Sequence, residues 1–172
     1  MSLLYCNKTR ESIMTEVKGR IVIQQCKSAS LKLPVAEGQN SEMVDIGRGM
    51  VVFVCFLDGA SEDTVEHLIK HITNIRLTEE EESGRRVSIC ETEGDVLLVP
   101  QATLGGKMKG RSMQYHNNVD KVVGEGLYRS LCRGVREAVE GVSGGSVKCG
   151  VYGARQVLST TTNGPFTHII EV

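Results

Sequence analysis

Between Gly19 and Val172, short apolar runs are broken again and again by Gly, Pro, Asn, Asp or Ser, and only two stretches carry a helical period. Runs of four to eight residues bounded by turn formers read as strands. The expected strands are Arg20–Gln25, Ala29–Leu33, Glu42–Ile46, Met50–Leu57, Asn74–Leu77, Val87–Cys90 and Val96–Val99, followed by three that close the chain, among them Gln156–Thr161 and Phe166–Val172. The first helix starts after Ser61, with Glu62 and Asp63 in its first turn, where acids suit the helix dipole. Val65, Leu68, Ile69 and Ile72 give it one buried face. The second runs from about Lys121 to Glu140 on Leu127, Leu131, Val135 and Val139, and Gly141, Gly144 and Gly145 end it. Many strands, two main helices and no strict alternation predict an α+β fold with largely antiparallel sheets, barrel- or sandwich-like.

At 172 residues the chain is long enough for one self-sufficient core. Residues 1–18 are polar and aperiodic and read as a disordered leader or an expression remnant, leaving 19–172 as a single domain. Net charge is −1, so any RNA contact must come from a local basic patch. Six scattered cysteines without a C-x-x-C pair read as free thiols in a reducing compartment. No run approaches the ~20 apolar residues of a membrane span. A cytoplasmic protein without membrane partners is expected.

Two segments stand out chemically. Gly94-Asp95 opens the apolar strand Val96–Val99, which ends in Pro100-Gln101-Ala102-Thr103-Leu104-Gly105-Gly106. A buried strand ending in Pro, a polar pair and two glycines opens into a binding loop. Near the C-terminus, Thr162-Asn163-Gly164-Pro165-Phe166-Thr167-His168 lies between the last two strands. Proline fixes φ and glycine admits close backbone approach, so the pair offers rigid carbonyls. A plain hairpin turn is the competing reading.

Other features invite chemistry that the pattern does not complete. Gly105–Ser112 nearly spells a P-loop, but Arg111 stands where the phosphate-reaching lysine belongs, and Met113–Asn118 is a poor helix start. Lys107, Lys109 and Arg111 are better suited to phosphates of an RNA end, with Tyr115 or His116 available to stack; a solvated basic loop is the alternative. His67 and His71 lie four apart, yet the zincin glutamate is absent and no third ligand is evident. The run Glu79–Glu82 reads as a solvated turn. No G-x-S-x-G elbow occurs, and neither Cys90 nor Cys149 has a nucleophile signature. No metal or cofactor is therefore expected.

The two singled-out segments resemble the signatures of the D-aminoacyl-tRNA deacylase family, in which a Ser-Gln-x-x-Leu-like strand end and a Gly-Pro-x-Thr motif build one site. Gln101, Thr103 and Leu104 match the first; Gly164, Pro165 and Thr167 match the second. Pro100 stands where the family has Ser, and Thr162-Asn163 where it has Asn-Asp, forms that resemble the divergent animal-type branch. The resemblance spans roughly Gly19 to Val172 and implies a D-tyrosyl-tRNA deacylase-like fold. It implies ester hydrolysis on aminoacyl-tRNA, with Gln101, Ala102 and Thr103 as the catalytic loop and backbone N–H groups around Ala102 and Thr103 at the oxyanion. It further implies that the ribose 2′-hydroxyl assists, and that Gly164, Pro165, Phe166 and Thr167 screen the amino acid from the partner subunit of a homodimer. Thr103 and His168 are the side chains to test for a direct role. The divergent branch implies a trans Gly164–Pro165 peptide, where the main family has cis, and tolerance of small L-amino acids. A non-catalytic RNA-end binder and a P-loop-like nucleotide enzyme are the rival readings.

Overall fold

The computed structural model describes residues 16–34, 42–80 and 83–172. Most of the expected leader, residues 1–15, and Glu81 and Glu82 of the acidic turn lie outside the described residues. In chain order the elements are β1 (Gly19–Cys26), β2 (Ser28–Lys32), β3 (Met43–Ile46), β4 (Gly49–Phe56), α1 (Glu62–Asn74), β5 (Thr78–Glu79) and β6 (Arg86–Val87). There follow β7 (Asp95–Pro100), β8 (Lys107–Lys109), β9 (Ser112–Gln114), α2 (Lys121–Glu140), β10 (Val147–Cys149), β11 (Val157–Thr161) and β12 (Thr167–Glu171).

A five-stranded sheet in the order β10-β7-β4-β1-β12 forms the centre. Both helices cover one face, where Ile21, Ile23, Val52, Val54, Val96 and Leu98 meet Leu68, Ile72, Leu131 and Val135. The three-stranded sheet β11-β2-β3 covers the other, and Ala29, Leu31 and Ile46 pack on Val51, Leu97 and Val99. The alternation along each strand thus feeds two cores, one per face. Among the described residues six strand pairings are antiparallel and two parallel, giving an α+β sandwich with no closed barrel.

Three local expectations change. Asn74–Leu77 is not a strand: α1 runs through Asn74, and pairing begins only at Thr78. Val87–Cys90 divides into the end of β6 and a one-turn 3-10 helix, Ile89–Glu91, whose Glu91 carboxylate accepts from the Ser88 N–H at 2.8 Å. The basic loop after the strand end is the hairpin β8–β9, turning at Gly110-Arg111. The two parallel pairings, β4–β7 and β7–β10, are crossovers through α1 and α2. They bring the C-terminal ends of β4 and β7 to one edge of the sheet.

Both helix starts are capped by neighbours in sequence. The Asp120 carboxylate accepts from the N–H groups of Val122 (2.9 Å) and Val123 (3.3 Å), and the Thr64 hydroxyl accepts from the Ser61 N–H at 3.1 Å. Each satisfies donors that the helix itself leaves open.

Candidate active site

At the shared edge, Pro100 lies opposite Val54, and the Gln101 N–H makes the last bond of the ladder, 2.7 Å to the Val54 carbonyl. Proline cannot continue the pairing as a donor. The chain turns there into a one-turn 3-10 helix, Ala102–Gly105. The N–H groups of Leu104 and Gly106 return to the Gln101 and Thr103 carbonyls, both at 3.1 Å, while those of Ala102 and Thr103 make no hydrogen bond among the described residues. Two adjacent free donors on an exposed turn face solvent, where a ligand oxygen can reach them.

Side chains from elsewhere hold this turn in shape. Asn118 Nδ2 donates to the Ala102 carbonyl at 2.8 Å, and the Cys55 thiol reaches the same oxygen at 3.6 Å. Arg20 donates through Nη1 to the Leu104 carbonyl at 2.5 Å, while its Nε and Nη2 each lie 2.7 Å from Glu171 Oε1. The Gln101 amide donates to the Thr103 hydroxyl at 2.8 Å, so these two motif side chains hold each other. Gly105 is buried against Asn118: a Cβ there would sit 1.8 Å from Asn118 Oδ1 and 2.8 Å from Leu57 Cδ2. Asn118 Oδ1 is itself buried without a hydrogen-bond partner among the described residues. Asn118, Arg20 and Cys55 escaped the motif reading; the glycine at 105, which only a close neighbour explains, was the one signal of the first.

Electrostatics argue against a thiol nucleophile at the loop. Burial raises the Cys55 pKa, outweighing the lowering from its backbone hydrogen bond and from Arg20. The thiol stays neutral and acts as a donor. Thr103 and Ala102 are both exposed.

The hairpin β8–β9 projects directly from this loop. Lys107, Lys109 and Arg111 are all exposed on it. Met108 pairs with Met113 on one face of the ribbon, and the flanking pairs Lys107–Gln114 and Lys109–Ser112 occupy the other. Met113 and Tyr115 pack over Gly106, where an added Cβ would meet each at 2.8 Å. The expected cations and a stacking ring therefore share one ribbon beside the strand end. The near-P-loop run is this hairpin rather than a glycine loop leading into a helix.

The Gly-Pro motif lies elsewhere. Thr162 Oγ1 accepts from the Gly164 N–H at 3.2 Å, and Thr167 Oγ1 donates to the Pro165 carbonyl at 3.1 Å. The Phe166 ring folds onto Gly164, with ring atoms 2.4 to 2.6 Å from where a Cβ would stand. The Gly164–Pro165 peptide is trans. Gly164, Pro165, Thr167 and His168 are exposed, as is Phe166 at 54%. His168 pairs with Ile23 beside a cleft of about 770 Å³ that Gln25, Asn163 and Phe166 also line.

The two motifs occupy opposite ends of β1. Arg20, at one end, holds the catalytic-loop candidate; the Gln25 N–H, at the other, bonds the Phe166 carbonyl at 3.1 Å. Along β1 five residues, about 16 Å of strand, lie between these two contacts. The cleft belongs to the Gly-Pro end and does not enclose Gln101–Thr103. Within one chain the motifs do not form one site.

Among the remaining candidates, His67 and His71 are exposed on the outer face of α1. Among the described residues no cluster of three or more His, Cys, Asp or Glu could hold a metal ion, and no helix is long and apolar enough to cross a membrane.

Known proteins share both sequence and architecture with the chain. D-aminoacyl-tRNA deacylase 2 of Danio rerio is 45% identical over 160 residues, covering 90% of this chain and 99% of its own. A solved structure described as a probable eukaryotic D-amino acid tRNA deacylase superposes with a TM-score of 0.74 at 31% identity, covering 90% of this chain and all of its own. The c-Myc DNA Unwinding Element Binding Protein superposes equally well, TM-score 0.74 at 26% identity, over 89% of this chain and 98% of its own. The family model described as D-Tyr-tRNA(Tyr) deacylase matches residues 22–171, and the chain belongs to that family.

Proposed function

We infer that this chain is a hydrolase that releases the amino acid from the 3′ end of mischarged aminoacyl-tRNA, acting on D-amino acids and on small L-amino acids. The observation that carries the reading is the strand-end turn, where the free N–H groups of Ala102 and Thr103 are fixed by Asn118, Cys55 and Arg20. An aminoacyl ester is already activated. It needs an oriented water and a stabilised oxyanion, and preorganised backbone donors supply the second. Water attacks the ester carbonyl, the ester C–O bond breaks, and the tRNA 3′-oxygen leaves with a proton. Resemblance assigns help in this step to the ribose 2′-hydroxyl, so no side-chain nucleophile is required.

The basic hairpin supports the RNA half of the substrate. Lys107, Lys109 and Arg111 stand ready for phosphates, and Tyr115 beside Gly106 offers a ring for a terminal base. The Gly-Pro motif supports a homodimer. It is hydrogen-bonded into shape and exposed yet lies at the far end of β1 from its own chain's loop, so it screens the amino acid in the partner's site. Ala102, small and exposed on the turn, leaves room for both α-carbon configurations when the side chain is short.

Incubating the purified protein with D-aminoacyl-, L-alanyl- and other L-aminoacyl-tRNA tests this reading. Release of D-amino acids and of L-alanine is expected, without ATP or GTP. Tight binding with the ester left intact would instead identify an RNA-end binder.

A further inference from the structure

At the sheet edge farthest from β12, two thiols meet across the seam between α2 and β10. Cys132, buried in the helical core, lies on α2 one turn from Tyr128 and one turn from Arg136, whose side chains reach Leu98 and Cys149, so it faces the half-buried Cys149 of β10. The Arg136 guanidinium, one turn further along α2, reaches the Cys149 sulfur at 3.7 Å. The seam is held on both sides. Cys149 pairs with Leu98, and Tyr128, one turn before Cys132, donates to the Leu98 carbonyl at 2.9 Å. The neighbouring Cys132 thiol and the Arg136 guanidinium hold the Cys149 pKa below the ordinary thiol value against its burial.

The other described thiols differ. Cys26, Cys55 and Cys90 each reach only backbone groups, and burial pushes all three up. Reactive cysteines are those with thiolate character beside a cation and some exposure. Among the described thiols, only Cys149 combines these with a second thiol facing it across the seam.

We propose that Cys132 and Cys149 are a modification site for hydroperoxides, closing to a reversible disulfide that ties α2 to β10. The Cys149 sulfur attacks a peroxide oxygen; the O–O bond breaks, an S–O bond forms, and hydroxide or alkoxide leaves. The Cys132 sulfur then attacks the Cys149 sulfur. The S–S bond forms, the S–O bond breaks, and the hydroxyl departs with the Cys132 proton as water. Two electrons have passed from the thiol pair to the peroxide, and a thiol reductant returns them. The site uses no residue of the deacylation loop and does not depend on that function.

The test treats the reduced full-length protein with a small excess of hydrogen peroxide, quenches with catalase, and maps products by mass. The expected product has lost two hydrogens, carries a Cys132–Cys149 linked peptide, and reverts with dithiothreitol. In Cys132→Ser, Cys149 should stop at the sulfenic acid and be trapped by dimedone. Arg136→Ala, at an exposed position, should slow oxidation of Cys149 about threefold. If the linked peptide is absent in the unmutated protein, or Cys149 oxidises no faster than Cys26, the proposal is wrong.

Discussion

If the Gly-Pro motif serves the partner's loop, damage to the two motifs should complement between subunits. Gly105→Ala is the perturbation for the loop, because the new Cβ would fall 1.8 Å from Asn118 Oδ1 and 2.8 Å from Leu57 Cδ2. Overpacking of that kind costs about 1–3 kcal/mol, and here it pushes on the amide that holds the Ala102 carbonyl. If that displacement appears in the barrier, kcat/KM falls roughly 5- to 150-fold. Gly164→Val is the perturbation for the second motif, since its side chain must displace the Phe166 ring now 2.4 Å from the Cβ position. Each variant alone damages both sites of a homodimer. Co-expressed with different tags and purified through both, the mixed dimer carries one site with two intact motifs and one with neither. Deacylation of D-aminoacyl-tRNA per mixed dimer should recover to about half the unmutated value. Mixed dimers no more active than the better parent would refute the trans arrangement.

Asn118→Ala should lower kcat/KM about five- to tenfold, the worth of roughly one hydrogen bond, with little change in Tm because it also removes a buried unpartnered oxygen. Asn118→Asp, which turns an acceptor towards the Ala102 carbonyl, should be worse, and equal rates for both would remove Asn118 from the site. Replacing Lys107, Lys109 and Arg111 together with Ala should weaken tRNA binding and reduce the log–log salt slope by about 0.7–0.9 for each phosphate no longer neutralised; an unchanged slope returns the hairpin to solvent. Burial raises the Cys26, Cys55 and Cys90 pKa values, so their contribution to stability is fully present below the unfolded thiol value of about 8.5 and is lost as pH climbs through the raised folded values. Cys149 has the opposite sign. Cys132 is raised as well, so Tm should fall as pH climbs above about 8.5, and a rise there would mean that Cys149 outweighs the other four.

The sequence was most legible where chemistry and period coincide. α1 and α2 follow their apolar spacing, and Pro100 marks the strand end because it cannot donate onward. The hairpin β8–β9 carries no strand pattern in the sequence because both its faces are exposed: Lys107, Met108 and Lys109 alternate without burying either set. β5 and β6, two residues each, are shorter than any pattern can register. The parallel pairing of β4 with β7 was hidden because that small hairpin and a 3-10 turn interrupt the crossover after α1. The roles of Asn118 and Arg20 depend on partners 16 and 84 residues away in sequence, which no local pattern encodes.

The placement of β12 fits the proposal that a second copy completes the site. It is the edge strand of the central sheet, and Ile169 at its middle, opposite Val22 and turned away from the helices, is 68% exposed. An apolar side chain at an open edge is the kind of surface on which a second copy would pair. In a two-fold dimer the same patch meets itself. A two-fold axis near Ile169 running β12 against its counterpart would set the partner's Thr167 end beside this chain's Glu171. Glu171 is already held by Arg20, whose other nitrogen grips the Leu104 carbonyl. The partner's Gly-Pro carbonyls would thereby approach the turn that carries the free Ala102 and Thr103 donors. Under that proposal β12, reversed across the axis, would bring together two motifs that lie at opposite ends of β1 within one chain.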